Sequence, residues 1–209
     1  NCFALSGPDG MTLIDAGCGT AWGAAYGHAR AAMIAAGIQP AAVSRVILTH
    51  IHGDHALGLI DGDRPYFPNA EIWVPEADLG FFTSEAARKT LPPARQGGFD
   101  LAARLLDICG AMLRPIPTGK IADDVEAIAM PGHTPGHTGY LIGHGDHRLL
   151  LWGDALHVSA LQADDPGIGF VYDIDPETAY STRLKALAEV ADHGWLVSGG
   201  HLGGFFRVE

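Results

Sequence analysis

The sequence predicts a mixed α/β (α+β) fold in which β-sheets are covered by helices. Three observations support this prediction: short runs of β-branched residues, Ala- and Leu-rich segments with a helical period, and Gly- or Pro-containing turns between them. A chain of 209 residues can bury one sizeable core, so we predict a single domain over 1–209. Because the sequence opens directly on a strand-like run, it is also compatible with a missing N-terminal segment.

The elements of the first half follow from periodicity and from the residues that end each run. The Ala-rich segment before Gly37 has a helical period, and the β-branched run before Thr49 is typical of a buried strand. In order, we predict strands over 2–5 and 11–14 joined by a turn over 6–10, a helix over 26–36, a strand over 43–48, a short helix over 56–60, a strand over 71–74 and helices from 75 to 113, interrupted at 92–93 and 97–98.

The second half has the same alternation of strands, turns and a long helix. The helix is amphipathic, and we predict that Leu184, Leu187, Ala188 and Ala191 form its apolar stripe. In order, we predict a strand over 125–130, two strands over 140–142 and 149–152 that pair across a turn at 143–147, a helix over 176–191 and a strand over 195–198.

Composition and charge exclude several classes of protein. The formal net charge of −11 argues against a nucleic-acid partner, because phosphate binding requires a basic surface. No apolar run reaches the ~18 residues that a membrane span needs, so we expect no membrane partner. The three cysteines, Cys2, Cys18 and Cys109, are odd in number and widely spaced, and we expect them to be buried small side chains rather than a disulfide framework.

The segment Thr49-His50-Ile51-His52-Gly53-Asp54-His55 is dense in metal-ligating side chains. His50 and His52 are two residues apart, so on an extended backbone their imidazoles project to the same side and can share one metal. A bend after Gly53 turns Asp54 and His55 toward a neighbouring position. The spacing therefore predicts ligands for two adjacent cations in one short loop.

Three further ligand candidates follow apolar strands and small residues. His133 comes after Pro131-Gly132, Asp154 after Gly153, and His201 after Gly199-Gly200. With them, one metal would have His50, His52 and His133, the other would have Asp54, His55 and His201, and Asp154 would bridge both. Each metal keeps an open position, as a catalytic site requires. Such N/O ligands accept zinc, manganese, cobalt or iron; we expect two divalent ions and favour zinc.

With these motifs in order, the chain resembles the metallo-β-lactamase superfamily of binuclear metallohydrolases. The HxHxDH motif is His50 to His55, and Ile14-Asp15-Ala16-Gly17 resembles the family's first motif, whose Asp lies near the metals without binding them. The resemblance extends over nearly the whole chain. It implies an αββα sandwich of two mixed sheets flanked by helices, with the metals at one edge of the sheets.

Further details narrow the function that the resemblance implies. A bridging Asp154 disfavours true β-lactamases. We also do not expect a glyoxalase II enzyme, because the 209 residues leave no room for the C-terminal helical domain of that class. The segment from Gly153 to Gln162 is similar to the methyl parathion hydrolase subgroup, which has a His three residues after the bridging Asp. Many N-acyl-homoserine lactonases have Tyr at the position of His157. We expect a lactonase that acts on lactones of the N-acyl-homoserine type, with a phosphotriester or aryl ester hydrolase as the alternative.

The expected reaction uses hydroxide derived from a water that bridges the metals to open a small lactone or ester. We assign catalytic roles to Asp54, as a proton shuttle to the leaving group, and to His157, which steadies the oxyanion or the leaving oxygen. Asp15 and His137 are expected to support the ligands without binding metal. A di-iron redox protein and a catalytically silent binding module stay open as other classes. Relatives of this kind are often dimers; the compartment stays open, with the cytoplasm favoured.

Overall fold

The computed structural model describes residues 1–7, 10–23 and 25–208. Pro8 and Asp9, which belong to the predicted first turn, lie outside the described residues. The chain divides into two compact units, Asn1–Pro115 and Ile116–Glu209. The single domain over 1–209 stays a prediction.

The first unit contains a five-stranded mixed sheet and a two-stranded sheet with short helices between the strands. Its elements are β1 (Phe3–Gly7), β2 (Gly10–Ile14), α1 (Ala29–Ala35), β3 (Val43–Ile47), α2 (Gly53–Ala56), β4 (Ile60–Asp61), β5 (Arg64–Pro65), β6 (Glu71–Pro75), α3 (Glu76–Phe82), α4 (Glu85–Arg88), α5 (Gly97–Cys109) and β7 (Leu113–Ile116). The larger sheet has the order β1-β2-β3-β6-β7, and β4 pairs with β5.

The central strand β3 ends at the HxHxDH segment. It runs parallel to β2, with Ile14 opposite Ile47, and parallel to β6, with Ile47 opposite Trp73. Val43, Val46 and Ile47 are buried on it, as expected of a strand inside a sheet. Because β2 and β3 are parallel and in register, Asp15 and Thr49 leave the sheet at the same edge.

The second unit contains a second mixed sheet and the longest helix. Its elements are β8 (Gly119–Ala122), β9 (Val125–Ala129), β10 (Thr138–His144), β11 (His147–Leu151), α6 (Ser159–Gln162), α7 (Pro176–His193) and β12 (Leu196–Ser198). The sheet has the order β12-β11-β10-β9-β8, with β11 and β12 parallel and the other pairs antiparallel. A core cluster that includes Leu141, Leu150, Trp152, Val190 and Val197 joins the sheet to α7.

Of the four residues in the predicted apolar stripe of α7, Leu187 is partly buried against the core, whereas Leu184, Ala188 and Ala191 are exposed. Leu184 is 44% exposed, whereas the buried residues of the helix are Ala179, Arg183, Ala186 and Val190. The buried positions keep the helical period but are shifted by one position, because Arg183 points inward and finds an ion-pair partner there. A buried guanidinium is not foreseen by a hydrophobic pattern.

Two other predictions differ from the structure at element ends. The short helix expected over 56–60 is instead α2 at Gly53–Ala56, followed by a 3-10 turn at Leu57–Leu59. Asp54 and His55 therefore lie in the first turns of a helix rather than on the preceding bend. The short strands β4, β5, β7 and β8 and the helix α6, each of four residues or fewer, are not predicted.

The cysteines are free thiols, with Cys18 and Cys109 buried and Cys2 half-buried. Burial raises the pKa of Cys109 to about 11, so this side chain stays a neutral thiol. In the described part of the chain, no helix has both the length and the apolar character needed to cross a membrane.

Candidate metal centre

The HxHxDH segment holds two pairs of potential ligand atoms in the first unit. His50 Nε2 and His52 Nδ1 are 3.1 Å apart, and His55 Nε2 is 3.5 Å from Asp54 Oδ2. His50 and His55 are buried. The segment thus brings together all four predicted ligands of this unit as two neighbouring donor pairs.

Asp15 and Thr49 orient the two buried imidazoles of this segment. Asp15 is buried, and its Oδ2 lies 2.7 Å from His55 Nδ1 and 2.9 Å from Thr49 Oγ1. A carboxylate can only accept, so His55 Nδ1 and the Thr49 hydroxyl both donate to it. Thr49 Oγ1, 2.9 Å from His50 Nδ1, is then left to accept from that nitrogen. The predicted supporting role of Asp15 agrees with this geometry, whereas Thr49 was assigned no role.

These hydrogen bonds decide which imidazole nitrogens face a cation. With their Nδ1 atoms protonated, neutral His50 and His55 carry their lone pairs on Nε2. The Nε2 lone pairs point toward another imidazole nitrogen and toward the Asp54 carboxylate, respectively. Electron-rich atoms this close fit the donor set of bound divalent cations.

Asp78, at the start of α3, fixes the backbone between the two histidines of the first pair. It is fully buried, and its Oδ2 accepts a 2.6 Å hydrogen bond from the backbone N–H of Ile51. An acidic residue in the first turn of a helix is usually explained by the helix dipole. That ordinary explanation is why the sequence does not single out Asp78.

The second unit contributes a carboxylate surrounded by imidazoles. Asp154 Oδ2 lies 3.1 Å from His157 Nε2, 3.1 Å from His201 Nε2 and 3.5 Å from His133 Nε2. The ligand atoms of His133, Asp154 and His157 all lie within 4.8 Å of one another. Three of these four residues are the ligands predicted for this part of the chain. His157, predicted as catalytic, lies directly beside them.

His133 is oriented by a residue that sequence reasoning missed. Its Nδ1 lies 3.0 Å from Oδ1 of the fully buried Asp173. Burial alone would raise the pKa of Asp173, but hydrogen bonds from His133, the Phe170 backbone and Arg183 outweigh it and lower that pKa. Asp173 is therefore an acceptor for His133 Nδ1–H, which leaves Nε2 of His133 facing Asp154. The sequence gives one indication of this role. Asp173 and Asp175 both precede the helix, and an N-cap needs only one carboxylate, so the other is available for a different contact.

His157 is held by its backbone and by ring stacking. Gln162 Oε1 accepts hydrogen bonds from the backbone N–H groups of His157 and Val158, at 2.7 Å and 3.0 Å. The His157 ring stacks on Phe170 with centroids 3.9 Å apart. Burial lowers the pKa of His157 although the hydrogen bond to Asp154 opposes this shift, so the imidazole is neutral at pH 7. Its Nδ1 has no hydrogen-bond partner among the described residues.

The remaining histidines and aromatic residues separate into buried and exposed groups. His137 is buried: its Nδ1 donates to Met130 O at 2.8 Å, and its Nε2 accepts from the Asp154 backbone N–H at 2.9 Å. This position agrees with the supporting role predicted for it. Among the aromatic residues, Phe67 and Phe82 are core residues and Trp22 is 47% exposed. His28, His144, His147 and His193 are exposed, and so is the candidate ligand His201.

Comparisons with known proteins identify the family of the chain and several similar structures. The model of the Metallo-beta-lactamase superfamily matches residues 1–201. The structure is similar to a crystal structure of the hydrolase AbOPH in the beta lactamase superfamily, with 28% identity and a TM-score of 0.91 over 99% of this chain and 74% of that chain. It is also similar to AidC, a dizinc quorum-quenching lactonase, with 24% identity and a TM-score of 0.89 over 98% and 73% of the two chains.

A third similar structure is a probable metal-dependent hydrolase from Staphylococcus aureus, with 19% identity and a TM-score of 0.77 over 95% of this chain and 72% of that chain. No curated protein matches the chain. The family match, the hydrolase relatives and the imidazole–carboxylate clusters identify a metal-dependent hydrolase. The chain belongs to the metallo-β-lactamase superfamily and has its fold of two mixed sheets with flanking helices.

Proposed function

We propose that this chain is a binuclear metal-dependent hydrolase that opens a lactone or ester, with lactones of the N-acyl-homoserine type as its substrates. The observation that carries the proposal is the direction of the imidazole lone pairs. In His50, His55 and His133, the Nδ1–H group donates a hydrogen bond to a side-chain oxygen. The Nε2 atom of each ring then carries the lone pair and faces another atom that can bind a metal. The proposed ligands of two zinc ions are His50, His52, Asp54, His55, His133, Asp154 and His201.

Bound divalent cations would supply a Lewis acid for the carbonyl oxygen and would acidify a water molecule. The chain itself supplies orientation: Asp15, Thr49 and Asp173 hold the three imidazoles in one tautomer. Asp54, whose side chain is 31% exposed, is the proposed proton carrier to the leaving alkoxide. Partial exposure allows its carboxylate to exchange a proton with water.

His157 is the proposed contact to the substrate oxygen. In the tautomer in which Nε2 donates to Asp154, Nδ1 carries a lone pair and can accept a proton or a hydrogen bond. To donate to an oxyanion, Nε2 must first leave Asp154. Replacing His157 by Gln keeps one amide donor and one acceptor, whereas Ala removes both. We expect H157A to lower kcat by about 10²-fold, and H157Q by less, if the ring acts on the substrate; unchanged turnover in H157A removes it from the mechanism.

A hydrolysis panel on protein of known metal content tests the proposal. The panel contains N-acyl-homoserine lactones of several chain lengths, simple γ-lactones, p-nitrophenyl esters, a phosphotriester and a β-lactam. We expect lactone turnover with two metal ions per chain, and its loss in D154N. Asp164 is exposed on the same unit, so D164N is a matched control that should keep full activity. Loss of the second metal without loss of lactone turnover would contradict a binuclear mechanism.

The second candidate is hydrolysis of phosphotriesters or aryl esters. It is favoured by one feature, the imidazole of His157 three residues after Asp154, where Tyr is common in the lactonases. Turnover of the phosphotriester or aryl ester with slow lactone opening would select this candidate. A coloured, iron-containing protein that consumes oxygen would exclude both hydrolases.

A further inference from the structure

We infer that Asp173 and Arg183 are positioning residues for His133, and that the same carboxylate orders the Phe170 segment against His157. His133 is a metal ligand only under the proposed function, so the inference rests on that proposal. Beyond the hydrogen bond from His133 to Asp173, the inference gives a role to the buried guanidinium of Arg183 and to the contact between Asp173 and Phe170.

The two oxygens of the Asp173 carboxylate accept hydrogen bonds from different partners. Its Oδ1 accepts from His133 Nδ1 at 3.0 Å. Its Oδ2 accepts from Arg183 Nη1 at 3.2 Å and from the Phe170 backbone N–H at 3.2 Å. The guanidinium and the backbone N–H can only donate, so they occupy Oδ2 and leave Oδ1 for the imidazole. The His133 ring therefore has one favoured tautomer and one favoured orientation.

The ion pair between Asp173 and Arg183 is buried. The side chains of Asp173 and Arg183 are 0% and 2% exposed. Arg183 Nε also donates to Pro166 O at 2.9 Å, so the guanidinium binds both ends of the segment from Pro166 to Asp173. Two buried charges with matched hydrogen bonds cost desolvation energy and are weak evidence for stability by themselves. Their value here is in fixing direction, because a paired guanidinium and carboxylate have a defined mutual geometry.

The residues that lead into α7, and the helix itself, hydrogen-bond to the turn that carries His133. The backbone N–H groups of Ile174 and Asp175 donate to His133 O at 3.1 Å and Gly132 O at 2.9 Å. Thr182 Oγ1 donates to Pro131 O at 2.6 Å. Gly132 has a φ of +124°, and a Cβ there would lie 2.1 Å from the Ala179 backbone nitrogen. The main chain of His133 is thus held by the same helix that carries Arg183.

Asp173 is also connected to His157, through Phe170. The Phe170 N–H that donates to Asp173 belongs to the residue whose ring stacks on His157 at 3.9 Å. In D173N the neutral amide accepts the Phe170 N–H more weakly than the carboxylate does, so the stacking partner of His157 is held less firmly. One carboxylate therefore orders the imidazoles of both His133 and His157.

The experiment compares zinc affinity and imidazole tautomer in D173N, R183K and R183M. Zinc affinity is measured by competition with a chromophoric chelator, and the tautomer by ¹⁵N NMR of histidine-labelled, chelator-treated protein. The His133 resonance is identified by its loss in H133Q. Asp164→Asn and Lys185→Met are matched controls, since Lys185 is 74% exposed on the same helix and Asp164 is exposed. Thermal unfolding shows which variants remain folded.

We expect D173N to bind one zinc ion about 10- to 100-fold more weakly and to show a mixture of His133 tautomers. R183M should follow D173N, and R183K should recover part of the affinity because it keeps the charge. Should R183M fail to fold, D173N and R183K decide the question. The inference would be overturned if D173N bound zinc as tightly as the unchanged protein and had the same His133 tautomer.

The proposed function can fail separately. A protein that binds zinc and responds to D173N as described, but hydrolyses none of the panel, refutes the proposed reaction and leaves the positioning role in place. In a protein that binds no zinc, the ligand assignment fails, and the His133 tautomer alone then supports or overturns the role of Asp173.

Discussion

At the scale of single residues, one hydroxyl group connects the ligands of the HxHxDH segment. Thr49 Oγ1 lies 2.9 Å from both Asp15 Oδ2 and His50 Nδ1, and 3.4 Å from His55 Nδ1. The hydroxyl has a single proton, which goes to the carboxylate. The remaining lone pairs then accept from imidazole, so one small side chain sets the tautomer of His50.

Replacing Thr49 by Val should weaken zinc binding by about 10- to 100-fold, because Val has the same shape but no acceptor for His50 Nδ1. Thr49→Ser keeps the hydroxyl and should bind zinc nearly as well as the unchanged protein. Chelator competition on both variants measures the difference. Equal affinities in the Val and Ser variants would mean that His50 is oriented by other contacts.

At the scale of elements, the turn after α2 lies directly against the segment that carries Asp15. The Gly58 N–H donates to Gly17 O at 2.7 Å, and the Ala16 N–H donates to His55 O at 2.8 Å. Arg30 adds hydrogen bonds to Gly58 O and Ile60 O and an ion pair with Asp61 at 3.1 Å. The position of His55 therefore depends on a close approach of two backbones.

Gly58→Ala should destabilise the protein by about 3 kcal/mol, since the added methyl group forces the backbone to shift. A Cβ at Gly58 would lie 1.9 Å from the Ala16 carbonyl oxygen. Gly80 lies in helix α3 with open space around its Cβ position, and Gly80→Ala should stabilise the protein by about 0.5–1 kcal/mol. Urea unfolding of both variants tests the contrast. Similar stabilities for the two would show that the close approach is not rigid.

The N-terminus of α7 provides a prediction about pH. Asp175 Oδ1 accepts from the Thr178 N–H at 3.0 Å, and Oδ2 accepts from the Thr178 hydroxyl at 2.7 Å. These hydrogen bonds lower the pKa of Asp175 in the folded protein. A depressed folded pKa contributes stability above the ordinary Asp pKa, and this contribution is lost as the pH falls through the folded value.

Asp175→Asn keeps a capping acceptor but does not titrate. The difference in melting temperature between the unchanged protein and this variant should therefore be constant above about pH 5 and should shift in favour of the variant below about pH 4. Asp175→Ala should melt a few degrees lower than both at neutral pH. A pH-independent difference between the Asp and Asn proteins would contradict the assignment of Asp175 as an ionised cap.

At the scale of the whole molecule, binding of the proposed metals should raise the free energy of unfolding. Any ion that binds only the folded chain stabilises it, by roughly 2.7 kcal/mol at a free concentration of 100 Kd. Zinc at that level should raise the melting temperature of the metal-free protein by roughly 5–10 °C. Magnesium, which prefers oxygen ligands, serves as the control and should change it little. Equal shifts for both ions would indicate binding by surface carboxylates.

Local spacing in the sequence was sufficient to predict most of the strands and to single out candidate ligands in each unit, which the structure groups into clusters that could hold a metal. His50 and His52 alternate along one backbone segment, and His133, Asp154 and His201 each follow an apolar strand, so no distant contact is needed to recognise them. The prediction of two mixed sheets with flanking helices is confirmed by the family match and the structural relatives. The assignment of all seven ligands to two metals stays a prediction.

The tertiary structure decided the partners of those ligands and the buried face of α7. Asp15 and Asp173 each lie 40 residues away in sequence from the imidazole they hold, so no local pattern connects them. Arg183 lies on the buried face of α7 beside Ala179, Ala186 and Val190, and its guanidinium pairs there with Asp173, a partner that the hydrophobic periodicity of the helix does not reveal. Residue type and spacing therefore determined which atoms can bind metal, whereas long-range hydrogen bonds determined which nitrogen of each buried imidazole is free to do so.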